Sequence, residues 1–349
     1  MTRRVEVPSA TRVYADKLDE VIKNIGLMDN GINCDELASG NVPESIRQKA
    51  ERWTYDFEMR NPLLDVANRN ERCNYLTKQY GFNTVPLSDE ENEFPIAYGL
   101  LVFRTAIQYL SGFDLPLKTN REMVRIFKQL NGSFNTEVLH YDYGRLWARK
   151  GTKAPHGIHL FKSSLSATFS RESANYIANN TVVNELIHYL NGTHVPDETF
   201  WTTVAGNPEK IPMPGAFNGT RFLQFTDELE RRQQNEIRAE FATSTMHYYI
   251  SRYQVWWFSR IKICNGEFVK DSCVYGIGDI PILLGRRELV AHKFYLHIQP
   301  AAYFCVYQKV RQRAISHDID SFDDRPYANL PGPALKRGVN LDVWTKRYF

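Results

Sequence analysis

No G-x-x-x-x-G-K-[ST], H-E-x-x-H, C-x-x-C or G-x-S-x-G pattern occurs in the 349 residues. The signatures of P-loop nucleotidases, zincin proteases, thiol redox enzymes and α/β-hydrolases are therefore missing. A surplus of charge is missing as well. Lys and Arg number 43 against 40 Asp and Glu, a formal net charge of +3, and the densest charged run, "DELERRQQNEIRAEF", mixes both signs at helical spacing. That excludes a dedicated nucleic-acid binder, which clusters its cations into a stripe, and reads as a solvated helix face. Long apolar runs are lacking. The longest, "IAYGLLVF", is interrupted by Arg104 and falls well short of a membrane span. The N-terminus, "MTRRVEVPSATRVYADKLDEV", has basic residues without an apolar stretch behind them, so neither a signal peptide nor an anchor is expected from it.

What is present is a globular composition, 43% hydrophobic and 24% charged, with 20 Phe, 19 Tyr and 6 Trp. Such length accommodates one large domain or two medium ones. Surplus Tyr and Trp line carbohydrate or protein surfaces in some chains and fill cores in more. The N-x-[ST] triplets at Asn131, Asn179, Asn191 and Asn218 are glycan acceptors if the chain is lumenal. Cysteines number five, an odd count that leaves one thiol without an intrachain partner. Cys264 and Cys273 flank a loop of a size that one disulfide can staple.

Element signals begin with a helical region. "PSATRVYADKLDEVIKNIG" runs from a Ser/Thr start to a closing glycine, and "VPESIRQKAERWTYDFEM" opens on Pro43 and an acidic first turn. "SDEENEF" reads as a polar linker. "PIAYGLLVF" (95–103) is a continuous apolar run, as in a buried parallel strand, and "AIQYLSGFDLPLKT" reads as a further strand directly behind it. "NREMVRIFKQLNG" is a helix closed by Gly132, "LFKSSLSATFSRESANYIANN" a strand followed by a Ser-led helix, and "TVVNELIHYLNGTH" more helix. This alternation predicts an α/β fold with a mostly parallel sheet flanked by helices. Consecutive parallel strands need a crossover of about a dozen residues or more, and between Phe103 and Ala106 there is none. Either the two runs are one bent strand or a crossover unit is missing.

The stretch "HVPDETFWTTV" carries the sharpest question. Asp197 and Glu198 fit the first turn of a helix, where acids complement the dipole. One of them also fits a general base, if a substrate hydroxyl and a leaving group come near. Lys270 and Lys293 are ordinary surface cations unless held against a diphosphate, whose charge they would offset without a metal. "YGIGDIP" is weak as a dinucleotide fingerprint and plausible as a tight turn, and "HDID" (His317 to Asp320) reads as a solvated turn rather than a metal-binding acidic pair.

The blocks "EFPIAYGLLV", "LSGFDLPLKTNREMVR", "FSRESANYI", "VPDETFWTTV" and "CNGEFVKDSCVYGIGDIPILLGRRELVAHKFY" together resemble the core-2/I-branching β-1,6-N-acetylglucosaminyltransferases, metal-independent enzymes of the GT-A type. They cover most of the chain from Cys34 to about Val310. The resemblance implies a GT-A-like, Rossmann-like sheet and inverting transfer of GlcNAc from UDP-GlcNAc to the 6-hydroxyl of a GalNAc or Gal on an O-glycan or poly-N-acetyllactosamine-type acceptor. No metal or other cofactor is expected, and the family's location is the Golgi, as a type II membrane protein. Residue by residue, Glu198 falls on the catalytic base and Lys293 on the diphosphate lysine. Lys270 stands where an arginine is usual, keeping the charge but losing the two-pronged geometry. Glu137 in "NTEV" falls near an acceptor-contacting glutamate. "YQVWWF" corresponds to an aromatic acceptor wall, with Trp256 or Trp257 stacking on a sugar; packing in the core is the other reading.

The same resemblance implies disulfides Cys264–Cys273 and Cys34–Cys305. It also places the usual partner of Cys73 in a segment absent here, between "AYGLLV" and "LSGFD". The missing crossover and the odd cysteine thus share one explanation, an internal block deleted around Phe103 to Thr105 that leaves the nucleotide-binding half incomplete. The implied division is a stem-like helical extension over 1–93 and a transferase domain over 94–310. Within that domain a residual donor half runs over 94–132 and an acceptor and catalytic half over 133–310; 311–349 is a C-terminal tail. The alternative is a catalytically inactive relative without a complete donor pocket.

Overall fold

The structure, a computed structural model, describes residues 9–56, 71, 74–75, 86–93, 96–98, 106–108, 111–149, 151–235, 248–258, 263–316 and 321–340. Cys73, the 103–105 junction and the His317–Asp320 stretch lie outside them. In chain order come helices α1 (Ser9–Ile25), α2 (Cys34–Ser39), α3 (Glu44–Arg52) and α4 (Asp89–Glu93), then strands β1 (Ile96–Tyr98), β2 (Ala106–Gln108) and β3 (Asp114–Pro116). Helix α5 (Asn120–Leu130), strand β4 (Thr168–Ser170) and helices α6 (Arg171–Asn179), α7 (Thr181–Leu190), α8 (Asp197–Ala205) and α9 (Gly219–Asn235) follow. The remainder is β5 (Tyr253–Gln254), β6 (Glu267–Val269), β7 (Ser272–Val274), α10 (Ile280–Gly285), β8 (Val290–His292), α11 (Pro300–Ile315) and α12 (Pro331–Lys336).

Local chemistry explains most boundaries. Gly26, with φ 80°, follows α1 in the left-handed conformation that costs glycine least. Before α5, Thr119 and Glu122 form a reciprocal capping box, each side chain accepting the other's backbone N–H at 3.1 and 2.7 Å. Ser170 caps α6 by accepting from the Ser173 N–H. Asn180 ends α6 and caps α7 by accepting from Val183, so the predicted continuous helix is two. The "SDEENEF" stretch, read as a linker, holds α4. Ser88 accepts from the Glu91 N–H while the Glu91 carboxylate accepts from Leu87, which starts a short helix there.

The chain folds into two compact units. One comprises 1–93, 112–122 and 253–322; the other comprises 94–111, 123–252 and 323–349. In the first, β3 pairs antiparallel with β8, β8 pairs parallel with β5, and β6–β7 is an antiparallel hairpin. Its core sets Val21, Ile25 and Leu37 from the N-terminal helices against Leu283, Phe304 and Val306. Disulfides Cys34–Cys305 and Cys264–Cys273 both form within this unit. In the second unit β1 pairs parallel with β2, and β2 antiparallel with β4. Its core gathers Phe134, Phe161 and Phe169 with Leu186, Val204 and Phe225.

The fold is mixed α/β, with small sheets that combine both strand directions among the described residues, where the sequence predicted a mostly parallel sheet. The apolar run after Thr105 is not one strand. "SGF" breaks it, and the pieces on either side, β2 and β3, enter different sheets in different units. β1 and β2 do pair in parallel, Ile96 opposite Ala106, yet only residues 99–105 connect them.

Candidate active site

Helix α8 begins at Asp197, directly after Pro196, where the sequence places a helix start. The two first-turn acids then part company. Asp197 is exposed, as a solvated first-turn acid should be. The Glu198 side chain is turned inward, with 17% of its surface exposed. Its Oε2 accepts from Arg145 Nη2 at 2.9 Å and lies 3.9 Å from Lys162 Nζ. Both cations approach the same oxygen, so Oε1 has no donor among the described residues. The turn that delivers Glu198 is strained. Val195 has φ 50°, an outlier for a β-branched residue that costs on the order of 1–3 kcal/mol and persists only where the surroundings impose it. Here His194 N–H donates to Arg145 O at 3.1 Å, while Ser163 N–H donates to Glu198 O at 2.6 Å.

Two threonines fasten α8 from its buried side. Thr202 donates to Glu137 O at 2.6 Å and meets the Thr136 hydroxyl at 3.0 Å. Thr203 accepts from Phe161 N–H, and Thr199 is fully buried. Trp201 of the same motif belongs to the core: its indole donates to Leu165 O and its ring lies 5.2 Å from Phe169. The Thr202 bond draws Glu137 toward the base. Burial raises the Glu137 carboxyl above the ordinary glutamate range and the charge of Glu198 adds to the rise, while Lys162 and Arg252 oppose it.

Asn135 holds this arrangement from behind. Its backbone exchanges hydrogen bonds with Thr168 at 2.8 and 2.9 Å. Its side chain donates to Tyr248 O and accepts from Ile250 N–H, Ser251 N–H and the Ser251 hydroxyl. One residue beyond Ser251 stands Arg252, 4% exposed, whose Nε and Nη1 have no partner among the described residues. The cluster therefore combines the carboxylates of Glu137 and Glu198 with the cations of Arg145, Lys162 and Arg252. Such a set can hold a polar, hydroxyl-rich ligand and take a proton from it.

Lys270 and Lys293 lie in the first unit, with Trp256 and Trp257. β6 and β7 are joined by Lys270 and Asp271, both with positive φ, 49° and 62°. Those values fit the tight two-residue hairpin turn that glycine and asparagine usually supply. Lys270 is exposed at this tip. Lys293 is 5% exposed and donates to Val269 O at 2.7 Å, one residue from Lys270; its Nζ also lies 5.1 Å from the Tyr295 ring centroid. Trp257 N–H donates to Asp271 O and its ring meets Phe268 at 5.2 Å, leaving 54% of the residue exposed. Trp256 is half-buried and stacks on Phe258 at 5.6 Å. Neither tryptophan belongs to the buried core.

Cys273 lies in β7 and is bonded to Cys264 at the foot of the hairpin. These sulfurs and the Asp279 carboxylate lie close enough to share an ion. The sulfurs are committed to the disulfide, and Asp279 accepts from Asn265 and Gly276. That last contact makes "YGIGDIP" a turn, as expected.

The structure thus brings Glu137 and Glu198 together in one unit, and Lys270, Lys293, Trp256 and Trp257 together in the other. Sequence reasoning missed Arg145, Lys162, Arg252 and Asn135. None stands in a recognisable motif, and Arg145 meets a carboxylate on a separate element. Asn131, Asn179, Asn191 and Asn218 are all exposed, all in the second unit. No described helix is long and apolar enough to cross a membrane.

The family model of the core-2/I-branching enzymes matches residues 107–245. The match covers about two fifths of the chain and, with the relatives below, supports a glycosyltransferase of the core-2/I-branching type. It is 22% identical to a beta-1,3-galactosyl-O-glycosyl-glycoprotein beta-1,6-N-acetylglucosaminyltransferase of Homo sapiens over 389 residues, covering 81% of this chain and 86% of the relative. It is 26% identical to an N-acetyllactosaminide beta-1,6-N-acetylglucosaminyl-transferase of Mus musculus over 230 residues, covering 59% of this chain and 50% of that one. A third relative, beta-1,3-galactosyl-O-glycosyl-glycoprotein beta-1,6-N-acetylglucosaminyltransferase 3 of Mus musculus, is 27% identical over 228 residues, covering 58% of this chain and 47% of its own length. The chain thus spans about half the length of the latter two. The alignment of 389 residues is longer than the chain's 349, so parts of the human relative have no counterpart here. The family match begins at 107, just past the short link between β1 and β2.

Proposed function

We propose that the chain transfers N-acetylglucosamine from UDP-GlcNAc to the 6-hydroxyl of a GalNAc or Gal in glycan branching, with inversion at C1 and Glu198 as general base. The observation that carries the reading is the Glu198 carboxylate: partly buried, fixed through Oε2 by Arg145 and Lys162, and open at Oε1 among the described residues. In the proposed step Oε1 takes the hydroxyl proton and the acceptor oxygen bonds to C1. The bond from C1 to the diphosphate breaks, and UDP leaves with the electron pair. A single displacement inverts the centre without a covalent enzyme intermediate. Glu137 would hold the acceptor beside the base. Trp256 or Trp257 would stack on a sugar, for which the half-exposed Trp257 ring is the better disposed.

Lys293 and Lys270 would offset the charge of the departing diphosphate, so that no metal or other cofactor is required. Residues 94–132 and 133–310 are the proposed donor and acceptor halves, with 1–93 a stem-like extension and 311–349 a tail. Action on O-linked or N-acetyllactosamine-type glycans follows the names of the relatives. A Golgi location, and glycans on the four exposed asparagines, go with that substrate.

A second reading has its own support. The link 99–105 is shorter than a parallel crossover requires, and the human relative holds residues without counterpart here. Both fit a deleted block in the nucleotide-binding half and a relative too incomplete to hold its donor. Transfer from radiolabelled UDP-GlcNAc to a galactosyl-GalNAc acceptor separates the two. The first reading expects transfer by the wild-type chain and a loss of about 10²–10⁴-fold in Glu198→Gln, with UDP affinity nearly unchanged. Wild-type-like turnover in Glu198→Gln removes Glu198 from the role, and no transfer by the wild type favours the second reading.

A further inference from the structure

The first unit carries a strip of rings beside Lys293 that the proposed step leaves unused. Asp114 of β3 stands opposite His292 of β8, and His292 Nδ1–H donates to its fully buried carboxylate at 2.8 Å. Phe294 N–H donates to Phe113 O at 3.1 Å, which carries the pairing one step past the strand ends. Around that pin the side chains reach the surface. Phe113 is 52% exposed, Tyr295 is half-buried and His297 is exposed. Phe113 meets the Tyr295 ring edge-on at 4.9 Å, and His297 stacks on the same ring at 5.3 Å with the planes 15° apart. The Lys293 ammonium lies 5.1 Å from the Tyr295 centroid. Three rings and one buried cation therefore adjoin within a single unit.

We propose that Phe113, Tyr295 and His297 form a stacking surface for the base of a nucleoside diphosphate whose phosphates meet Lys293. This deepens the donor side of the proposed function and rests on it. A nucleoside diphosphate has a flat base, then a ribose, then two anionic phosphates. The strip has the same order: exposed rings, the half-buried Tyr295, then the ammonium. A base stacks on such rings through its π-face, and the ammonium offsets the phosphate charge. A neutral sugar would use the rings and not the cation, whereas a free phosphate would use the cation and not the rings. All four residues lie in the first unit, so this surface draws nothing from the segment between β1 and β2, where residues 99–105 form the whole link. A shortened donor half and a held donor are then compatible.

The test uses the full chain and two probes, UDP and inorganic pyrophosphate, with binding read by isothermal titration calorimetry. The wild type is expected to bind UDP more tightly than pyrophosphate. The pair Phe113→Ala/His297→Ala should weaken UDP roughly tenfold, as the loss of base stacking implies, and leave pyrophosphate affinity and the ligand-free thermal midpoint unchanged. Phe113→Tyr/His297→Phe, which keeps two flat rings, should restore UDP binding. If the alanine pair lowers the midpoint, His297→Ala alone, at the exposed end of the strip, should still weaken UDP and spare pyrophosphate. Equal UDP affinity in the wild type and the alanine pair overturns the stacking surface, and transfer by the same wild-type chain would leave the proposed function standing. Equal losses of UDP and pyrophosphate would assign the rings to the placement of Lys293 and overturn it as well. Ring-dependent UDP binding without transfer keeps the stacking surface and fails the proposed function. A wild type that binds neither probe overturns both.

Discussion

In the unit that carries Glu198, polar groups are fixed by other polar groups. Arg145 and Lys162 set the carboxylate, Thr202 ties α8 to Glu137, and Asn135 fastens that segment to Tyr248, Ile250 and Ser251. In the unit that carries Lys293 the devices differ. A disulfide staples the hairpin, a two-residue turn in the left-handed region aims Lys270, and one carbonyl and one ring hold Lys293. The first kind of site is sensitive to any member, because a buried donor or acceptor left alone costs its desolvation. The second tolerates side-chain changes, because its frame is covalent and backbone-made. The proposed base and Glu137 lie in the polar unit, and the proposed diphosphate lysines and sugar-stacking tryptophans lie in the stapled one.

The contrast can be broken at several points. The largest effect is expected at Asn135. Asn135→Ala takes the side-chain partner from two buried backbone donors, the Ile250 and Ser251 N–H groups, and from the Tyr248 carbonyl, and should cost about 3 kcal/mol, read as a lowered urea midpoint. A change under about 0.5 kcal/mol would mean that the polar unit is not held by this network. Lys293→Ala should weaken UDP roughly tenfold with acceptor affinity unchanged, whereas Lys270→Ala, exposed at the hairpin tip, should weaken it less. The reverse order would move the diphosphate contact to Lys270, and a loss confined to acceptor affinity would take Lys293 out of the donor role.

The smallest effect concerns pH. Glu137 has its carboxyl raised by burial, so the folded state holds that proton more tightly than the unfolded state does. The stability it contributes is fully present below the ordinary glutamate value. It is lost as pH rises through the raised folded value. Glu137→Gln should therefore be more stable than wild type at neutral pH, with the gain vanishing in acid. Thermal unfolding across pH 3–8 checks the sign (roughly the range over which a shifted glutamate titrates). A gain that persists in acid would assign the effect to packing rather than to the proton.

Much of this was legible in the sequence because it rests on local chemistry. The helix at Asp197, the Ser170 cap and the closing glycine after α1 need only a few neighbouring residues. Both disulfides were implied by the family resemblance, and both form. What stayed hidden depends on contacts between distant segments. Arg145 meets Glu198 across 53 positions, and the capacity of Asn135 to bind residues 248–251 leaves no periodicity to read. The sheets were misjudged for a related reason. A continuous apolar run signals burial, but strand direction depends on which partner the chain reaches, and β2 and β3 reach different ones. Glu198 lies between these cases: its helix was readable, while the inward turn that separates it from Asp197 required the fold.

The claim that Lys293 serves the donor while Glu198 serves the acceptor is tested most directly by thermal unfolding with and without excess UDP, for the wild type, Lys293→Ala and Glu198→Gln. A ligand that binds only the folded chain stabilises it by about 2.7 kcal/mol at a hundredfold excess over Kd. The predicted result is a single transition that rises with UDP in the wild type and in Glu198→Gln and rises less in Lys293→Ala. No shift in the wild type, or an equal shift in all three, would contradict it.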